Sequence, residues 1–313
     1  MKIPFDIPPH SFYAMLAVIG LLLIASSISF LLSLKNPDKN YTELQLRIRS
    51  WWWMVLSLFI VLSISQNAAI IFFGFLSFLA LKEFLSIVPT RHADRRVIFW
   101  AYLSIPLQYY WVSMGWYGMF IIFIPVYIFL LLPLRMILIG ETEGFIRAAG
   151  ILHWAVMLTV FAMSHIAYLL MLPVKNTAAG GIGLVLFLLF VTQFNDVCQY
   201  IWGKMLGKHK IIPKVSPNKT WEGFIGGLIT ITLCAGGIAP LLTPLSFETG
   251  LLAGAIIGLS GFVGDVVISS VKRDLHIKDS GSLIPGHGGI LDRLDSLMYT
   301  APLFFHYIYY VAY

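Results

Sequence analysis

Apolar residues run through this chain in long uninterrupted blocks, with most polar residues gathered between them. Ten blocks can be drawn: 12–34, 52–66, 68–88, 97–112, 116–138, 150–172, 180–202, 222–243, 249–271 and 295–312. Most approach the roughly 20 apolar residues a helix needs to cross a hydrocarbon core. The blocks do not alternate, which disfavours a porin-like barrel. Two of them, 52–66 and 97–112, are short, and the break between the second and third rests on Gln66-Asn67. The pattern predicts an all-α polytopic integral membrane protein with about 8–10 transmembrane helices. The first block, Phe12 to Leu34, exceeds a leader's apolar core and is read as a retained span.

Composition agrees. Hydrophobic residues make up 58% and charged residues 12% of 313 positions, where a soluble domain carries roughly 25% charged residues. The net charge of +6 raises nucleic acid as a partner, but basic residues in a membrane protein first report orientation, and none is expected. With ten spans and segment 35–50 in the cytoplasm, 19 of the 21 Lys and Arg fall on the cytoplasmic side. Only Lys2 and Lys175 lie opposite, and both termini are placed outside. Cys198 and Cys234 sit in apolar segments, as packing residues do, rather than as a disulfide or metal pair.

Three polar connections stand out: 35–50, 203–220 and 272–294. The last two are separated by two spans and so share a face, the natural place for a site. Asp265 lies within a span, where a carboxylate costs up to roughly 2.5–3.5 kcal/mol. It shares a helical face with Ser269 and Lys272 at i, i+4, i+7, continued by Gly254, Gly258 and Gly261. That face reads either as a packing stripe ending in an Asp265–Lys272 pair or as a cation or phosphate site. Asp292 and Asp295 share a face at i, i+3, with Arg293 pointing away. Together with Asp265 they suit a hard divalent cation such as Mg²⁺, which prefers oxygen ligands and keeps water and substrate phosphates in its shell. Between them runs a loop rich in Lys, Asp, His and Gly, from His276 to Gly289, whose glycines offer backbone N–H groups to an anion. The 203–220 loop holds five lysines and no acid. Its end predicts a helix start, with Ser216 as N-cap and Pro217 at the first position, an anion site beside Lys219 and Thr220. Asp196, Tyr200 and Gly203 share a face, making Asp196 a second acid within a span. Trp51-Trp52-Trp53 reads as an interfacial belt, His153 and His165 as core or pore-lining histidines, and Arg91 to Arg96 as a headgroup anchor.

These residues resemble a known family. Ser269-Ser270-Val271-Lys272-Arg273, Lys278-Asp279-Ser280-Gly281 and the run Pro285-Gly286-His287-Gly288-Gly289-Ile290-Leu291-Asp292-Arg293-Leu294-Asp295 resemble the signature of the phosphatidate cytidylyltransferase (CDP-diacylglycerol synthase) family. Asp196 to Tyr200, Gly203, Gly207-Lys208 and Ser216 to Gly223 resemble a second block of that family. Residues before Asp196 match only as generic spans. Gln199 departs from the pattern, which has alanine there, and puts the usual lipid acceptor in doubt.

The resemblance implies transfer of CMP from CTP to phosphatidic acid, giving CDP-diacylglycerol and pyrophosphate, with Mg²⁺ required and room for a second cation. It implies an often dimeric protein with its site open to the cytoplasmic leaflet, the inner membrane in a bacterium. Residues 1–178 would be an N-terminal transmembrane region and 179–313 the catalytic one. Asp265 and Asp292 would hold the metal, while Lys272, Asp295 and His287 would act in catalysis. Asp196, Tyr200, Ser216, Lys219, Thr220, Lys278, Asp279 and Arg293 would bind the nucleotide. Two alternatives remain: a cytidylyltransferase acting on a different lipid phosphate, and a transporter with intramembrane carboxylates.

Overall fold

The computed structural model describes residues 7–35, 41–286 and 288–313. Its elements, in order, are α1 (Pro9–Lys35), α2 (Thr42–Ile64), α3 (Gln66–Ile87), α4 (Arg95–Ser113), α5 (Tyr117–Ile137), α6 (Phe145–Leu169), α7 (Gly180–Leu206), α8 (Trp221–Leu242) and α9 (Phe247–Asp274), then the single turn α10 (Leu291–Leu294) and α11 (Leu297–Ala312). Helix is what hydrocarbon demands, because each backbone N–H and C=O must find its partner within the segment. Eight of these helices, all but α4, α10 and α11, are long and apolar enough to cross a membrane. The chain is an all-α polytopic integral membrane protein. Helix α4 opens on Arg95-Arg96 and carries a buried Gln108, which dilutes its apolar character, and α11 has only 16 residues.

Contacts between connections fix the direction of every pass. On one face Ser11 Oγ donates to Ala179 O at 2.6 Å, and Tyr168 OH to Gly115 O at 2.8 Å. Gln66 reaches Leu170 O there, Asn176 Nδ2 donates to Thr243 O at 2.9 Å, and Lys175 reaches Ala312 O. On the other face Arg47 Nε donates to Gly286 O at 3.2 Å, Ser50 Oγ to Pro285 O at 2.6 Å, and Arg91 binds the carbonyls of Glu141 and Glu143. Among the described residues, α1 to α9 and α11 therefore alternate in direction, the α2–α3 turn included. That turn is a single extended residue, Ser65, which caps α3 by accepting from Ala68 N–H at 3.1 Å. The start of α1 and the end of α11 share one face, and the 203–220 and 272–294 connections share the other.

Helices α7, α8, α9 and α11 form the bundle that carries the site. Close approach is set by small residues: a Cβ on Gly254 would lie 2.6 Å from Ala235 Cβ and 2.9 Å from Thr232 Cα. Such small-residue contacts are how membrane helices associate without a hydrophobic driving force. The glycine stripe on α9 thus packs helices, while the Asp265–Asp274 end of the helix carries the charged residues. Both cysteines are free, and His165 is fully buried with Nδ1 on Phe161 O at 2.8 Å, a core histidine.

One helix start moves. Thr220, not Ser216, is the N-cap of α8, its extended backbone letting Oγ1 accept from Gly223 N–H at 3.2 Å. Ser216 instead closes a turn on Ile212 O at 2.9 Å. The reason lies in the partner strand of the loop. Trp221 N–H donates to His209 O at 2.9 Å, and Ile211 N–H to Lys219 O at 3.2 Å, which keeps 219–220 extended, so the helix begins only after it.

Candidate active site

The basic loop and the signature loop meet where α7, α9 and α11 end. Lys219, from the basic loop, places Nζ 2.7 Å from Asp265 Oδ2 and stands over the Phe262 ring at 4.7 Å. Ser269, one turn on, donates to Asp265 Oδ1 at 3.2 Å. Lys272 does not pair with Asp265, its neighbour on the same helical face. It reaches across to Asp292 Oδ1 at 2.7 Å, and both side chains are largely buried. The packing-stripe reading with an internal Asp265–Lys272 pair is thereby replaced by two lysine–aspartate links, each joining separate elements.

Asp292 is the organiser of the signature loop. Its Oδ2 accepts from Ser280 N–H at 2.8 Å, Ser280 Oγ at 2.9 Å and Gly289 N–H at 3.0 Å. Burial pushes this carboxyl up, but the Lys272 hydrogen bond and the Gly289 and Ser280 amides together outweigh it and hold it below the ordinary carboxylate range. Gly288 turns the chain with φ +81° and leaves no room for a Cβ, which would lie 2.6 Å from Asp292 Oδ2. The loop's amides were expected to cradle an incoming anion. Among the described residues, those of Ser280, Gly289, Ile290 and Leu291 are spent on carboxylates of the protein itself.

A second cluster lies beside Asp265. Asp196 on α7 and Asp295 at the foot of α11 both lie within electrostatic reach of Asp265. Ser296 ties them: its Oγ donates to Asp196 Oδ2 at 3.2 Å, and its N–H to Asp295 Oδ1 at 2.8 Å. Gly264 permits this, since a Cβ there would lie 2.6 Å from Asp295 O. Asp196 Oδ1 is buried with no hydrogen-bond partner among the described residues. Arg293, read as pointing away, lies within electrostatic reach of Asp196 and Asp295, and its Nε is likewise buried with no partner among the described residues.

A cytidylyltransferase family model matches residues 45–311, most of the chain. The chain belongs to the cytidylyltransferase family. Among its relatives, the Escherichia coli (strain K12) protein YnbB, itself described as uncharacterized, is 47% identical over 294 residues, covering 94% of this chain and 97% of that one. The phosphatidate cytidylyltransferase of Staphylococcus saprophyticus subsp. saprophyticus is 40% identical over 151 residues, 46% of this chain and 56% of that one. That of Staphylococcus aureus (strain COL) is 42% identical over 134 residues, 41% and 50% respectively. The protein is therefore a membrane-embedded nucleotidyltransferase, with CTP the co-substrate that membership implies.

The structure gathers Asp196, Lys219, Asp265, Lys272, Asp292, Arg293 and Asp295 at this face, and Thr220 caps the adjoining helix. Lys278 and Asp279 are exposed on the signature loop, and Ser216 lies in the basic loop's turn. Tyr200 is 67% exposed on the outside of α7, with Lys204 Nζ 5.9 Å from its ring, so it is not brought to the carboxylates. His287 lies outside the described residues.

One participant escaped the sequence reading. Glu83, on α3, accepts from Ile290 N–H and Leu291 N–H at 2.9 Å each and is contacted by Ser280 Oγ. It is a lone carboxylate near a helix end, 197 residues from its first partner, and nothing in local spacing singles it out.

The donor chemistry can be tested against Mg²⁺. Among the described residues, no three His, Cys, Asp or Glu side chains form a ready-made metal cage. A cage is not what this ion asks for; one or two carboxylates with water and phosphate oxygens suffice. The oxygen-only set of Asp196, Asp265 and Asp295, with the orphaned Asp196 Oδ1, fits that demand. Asp265 has both oxygens engaged too, but by the side chains of Lys219 and Ser269, whereas Asp292, expected as its metal partner, is tied by Lys272 and by the backbone amides of Ser280 and Gly289.

Proposed function

We propose that the protein transfers CMP from CTP to phosphatidic acid, forming CDP-diacylglycerol and pyrophosphate, at the cytoplasmic ends of α7, α9 and α11. The observation that carries this reading is the convergence of Lys219 and Lys272 with four aspartates, from α7, α9, α10 and the foot of α11, at one end of the spans. Such a place serves a lipid whose phosphate sits at the interface and a nucleotide that arrives from water. The concentration of Lys and Arg on that face supports a cytoplasmic orientation.

The reaction is an in-line displacement. A phosphate oxygen of the lipid forms a bond to the α-phosphorus of CTP as the bond from that phosphorus to the bridging oxygen breaks, and pyrophosphate leaves. A phosphomonoester has its second pKa near ~6, so the attacking oxygen is already largely ionised and no strong base is needed. Charge neutralisation and alignment dominate such chemistry. Lys219 neutralises and orients the triphosphate, moving between Asp265 and the nucleotide. Lys272, anchored on Asp292, meets charge developing on the transferring group or pyrophosphate. Asp196, Asp265 and Asp295 would hold Mg²⁺, which when bound supplies charge compensation to the nucleotide phosphates. Asp295 and Asp265 fix each other's position through the α9–α11 contact at Gly264. A different lipid phosphate is the second reading, favoured by one feature: Gln199, one turn from Asp196, presents a buried amide nitrogen with no partner among the described residues.

The test is one incubation of the purified protein with labelled CTP, Mg²⁺ and a panel of lipid phosphates in detergent. Lipid-linked CMP and pyrophosphate are expected, with phosphatidic acid the preferred acceptor, and chelation of the metal stops both. No product with any acceptor would overturn the reading.

A further inference from the structure

We infer that Glu83 is a positioning residue for cytidylyl transfer, a clamp by which the N-terminal half of the chain sets the geometry of the signature loop; this rests on the function proposed above. The geometry is dense. Ile290 and Leu291 open α10, and a helix start leaves its first N–H groups without partners inside the helix. Glu83 takes both, one on each carboxylate oxygen, at 2.9 Å. It therefore acts as a cap supplied from another helix, and a charged acceptor makes such bonds stronger than neutral ones. The capped turn carries Asp292 as its second residue, and Asp295 follows it. Whatever fixes the first two amides also fixes where those two carboxylates point.

Ser280 extends the clamp. Its hydroxyl lies between Glu83 Oε1 and Asp292 Oδ2. It carries one proton and so serves one carboxylate at a time. Glu83 is thus one hydroxyl away from the carboxylate that anchors Lys272.

The same contact accounts for two glycines of the signature. A Cβ on Gly289 would lie 1.9 Å from Glu83 Oε1, and one on Gly281 3.1 Å from Oε2. These positions are small because a carboxylate from α3 occupies the space where a side chain would be, and a nucleotide need not be invoked for them. Two further grips from α2 hold the same loop, Arg47 on Gly286 O and Ser50 on Pro285 O.

Glu83→Gln keeps the shape of the side chain but turns one acceptor into a donor that faces an amide N–H. In the full-length purified protein we expect kcat for CTP-dependent transfer to fall about 100-fold, the scale of a misplaced catalytic group, with KM for CTP within about threefold. Hydrogen exchange at the amides of Ile290 and Leu291 should rise at least about tenfold, while the amides of α7 and α8 keep wild-type protection. Ser280→Ala should give the same signature more weakly, and its effect should shrink in the Glu83→Gln background. Wild-type kcat together with wild-type exchange at 290–291 would overturn the proposal, as would a fall in kcat with that exchange unchanged. If Glu83→Gln does not fold, Ser280→Ala alone decides by the same two readings. The exchange measurement needs no substrate, so a clamp that fails is distinguishable from a cytidylyl-transfer assignment that fails.

Discussion

Asp292→Asn offers the sharpest test of how the signature loop is held. The carboxylate takes Lys272 on one oxygen and three donors on the other, and its side chain is only 5% exposed, with Lys272 at 14%. An amide cannot satisfy this set. If its oxygen faces the Ser280 and Gly289 amides, its NH₂ confronts the ammonium of Lys272. If it is flipped, NH₂ confronts two N–H donors. Either way a buried charge or a pair of buried donors loses its partner, a loss of about 3–5 kcal/mol where screening is slight. Taking the lower end, the Ser280 and Gly289 amides should exchange about 100-fold faster, since roughly 1.4 kcal/mol is tenfold. Residues such as Ala179, on the opposite face, should not change. Adding Lys272→Met removes the stranded charge, so the double variant should recover part of the loss, with a coupling of about 1.5–3 kcal/mol for a charged hydrogen bond. Protection within threefold of wild type, or strictly additive effects, would refute the reasoning.

Other expectations follow from the same geometry. Asp265→Asn should abolish Mg²⁺-dependent CTP turnover while the protein remains folded, as measured by pyrophosphate release and size-exclusion profile. The Asp292 carboxyl is held below its ordinary value of about 4, so its stabilisation is complete above that value and is lost as pH falls through the lower folded one; thermal midpoints measured from pH 7 to pH 3 should drop only at the acid end, and Asp292→Asn should flatten that drop. Gly264→Ala would set a methyl 2.6 Å from Asp295 O and 3.2 Å from Ser296 Cα, costing about 1–3 kcal/mol and displacing Asp295, with turnover falling further than stability alone accounts for. Gly237→Ala, on α8 with nothing within 4 Å of the new Cβ, should instead be neutral or gain up to about 1 kcal/mol in an unfolding assay.

The spans were legible because hydrocarbon imposes one rule on every residue within it. The weak block 52–66 lies in a helix long and apolar enough to span, whereas 97–112 forms a helix, α4, that falls short of that measure, and Ser65 alone sufficed for the turn that Gln66-Asn67 suggested. Asp265, Lys272 and Asp292 could be singled out because a charge within or beside a span is costly and demands a partner. Which partner could not be read, because helical spacing reports only neighbours on one helix. Lys272 shares a face with Asp265 yet binds Asp292, and Lys219 arrives from a loop 46 positions away in sequence. The α8 start was misplaced at Ser216 for a similar reason: Ser-Pro is a good local signal, but the loop pairing of 209–211 with 219–221 overrides it. Glu83 gave no signal at all, since its partners are backbone amides on the far side of the chain.

The α2–α3 hairpin has a mechanical consequence. Glu83 lies 17 residues beyond the start of α3 at Gln66, about 26 Å along the axis at 1.5 Å per residue. Its pivot is the single residue Ser65. Transmembrane helices answer a change of bilayer thickness by tilting, and a tilt of only ~5° about that pivot swings the carboxylate by about 2 Å, enough to break hydrogen bonds of 2.9 Å. Helix α3 is thus a lever whose long arm ends on the signature loop.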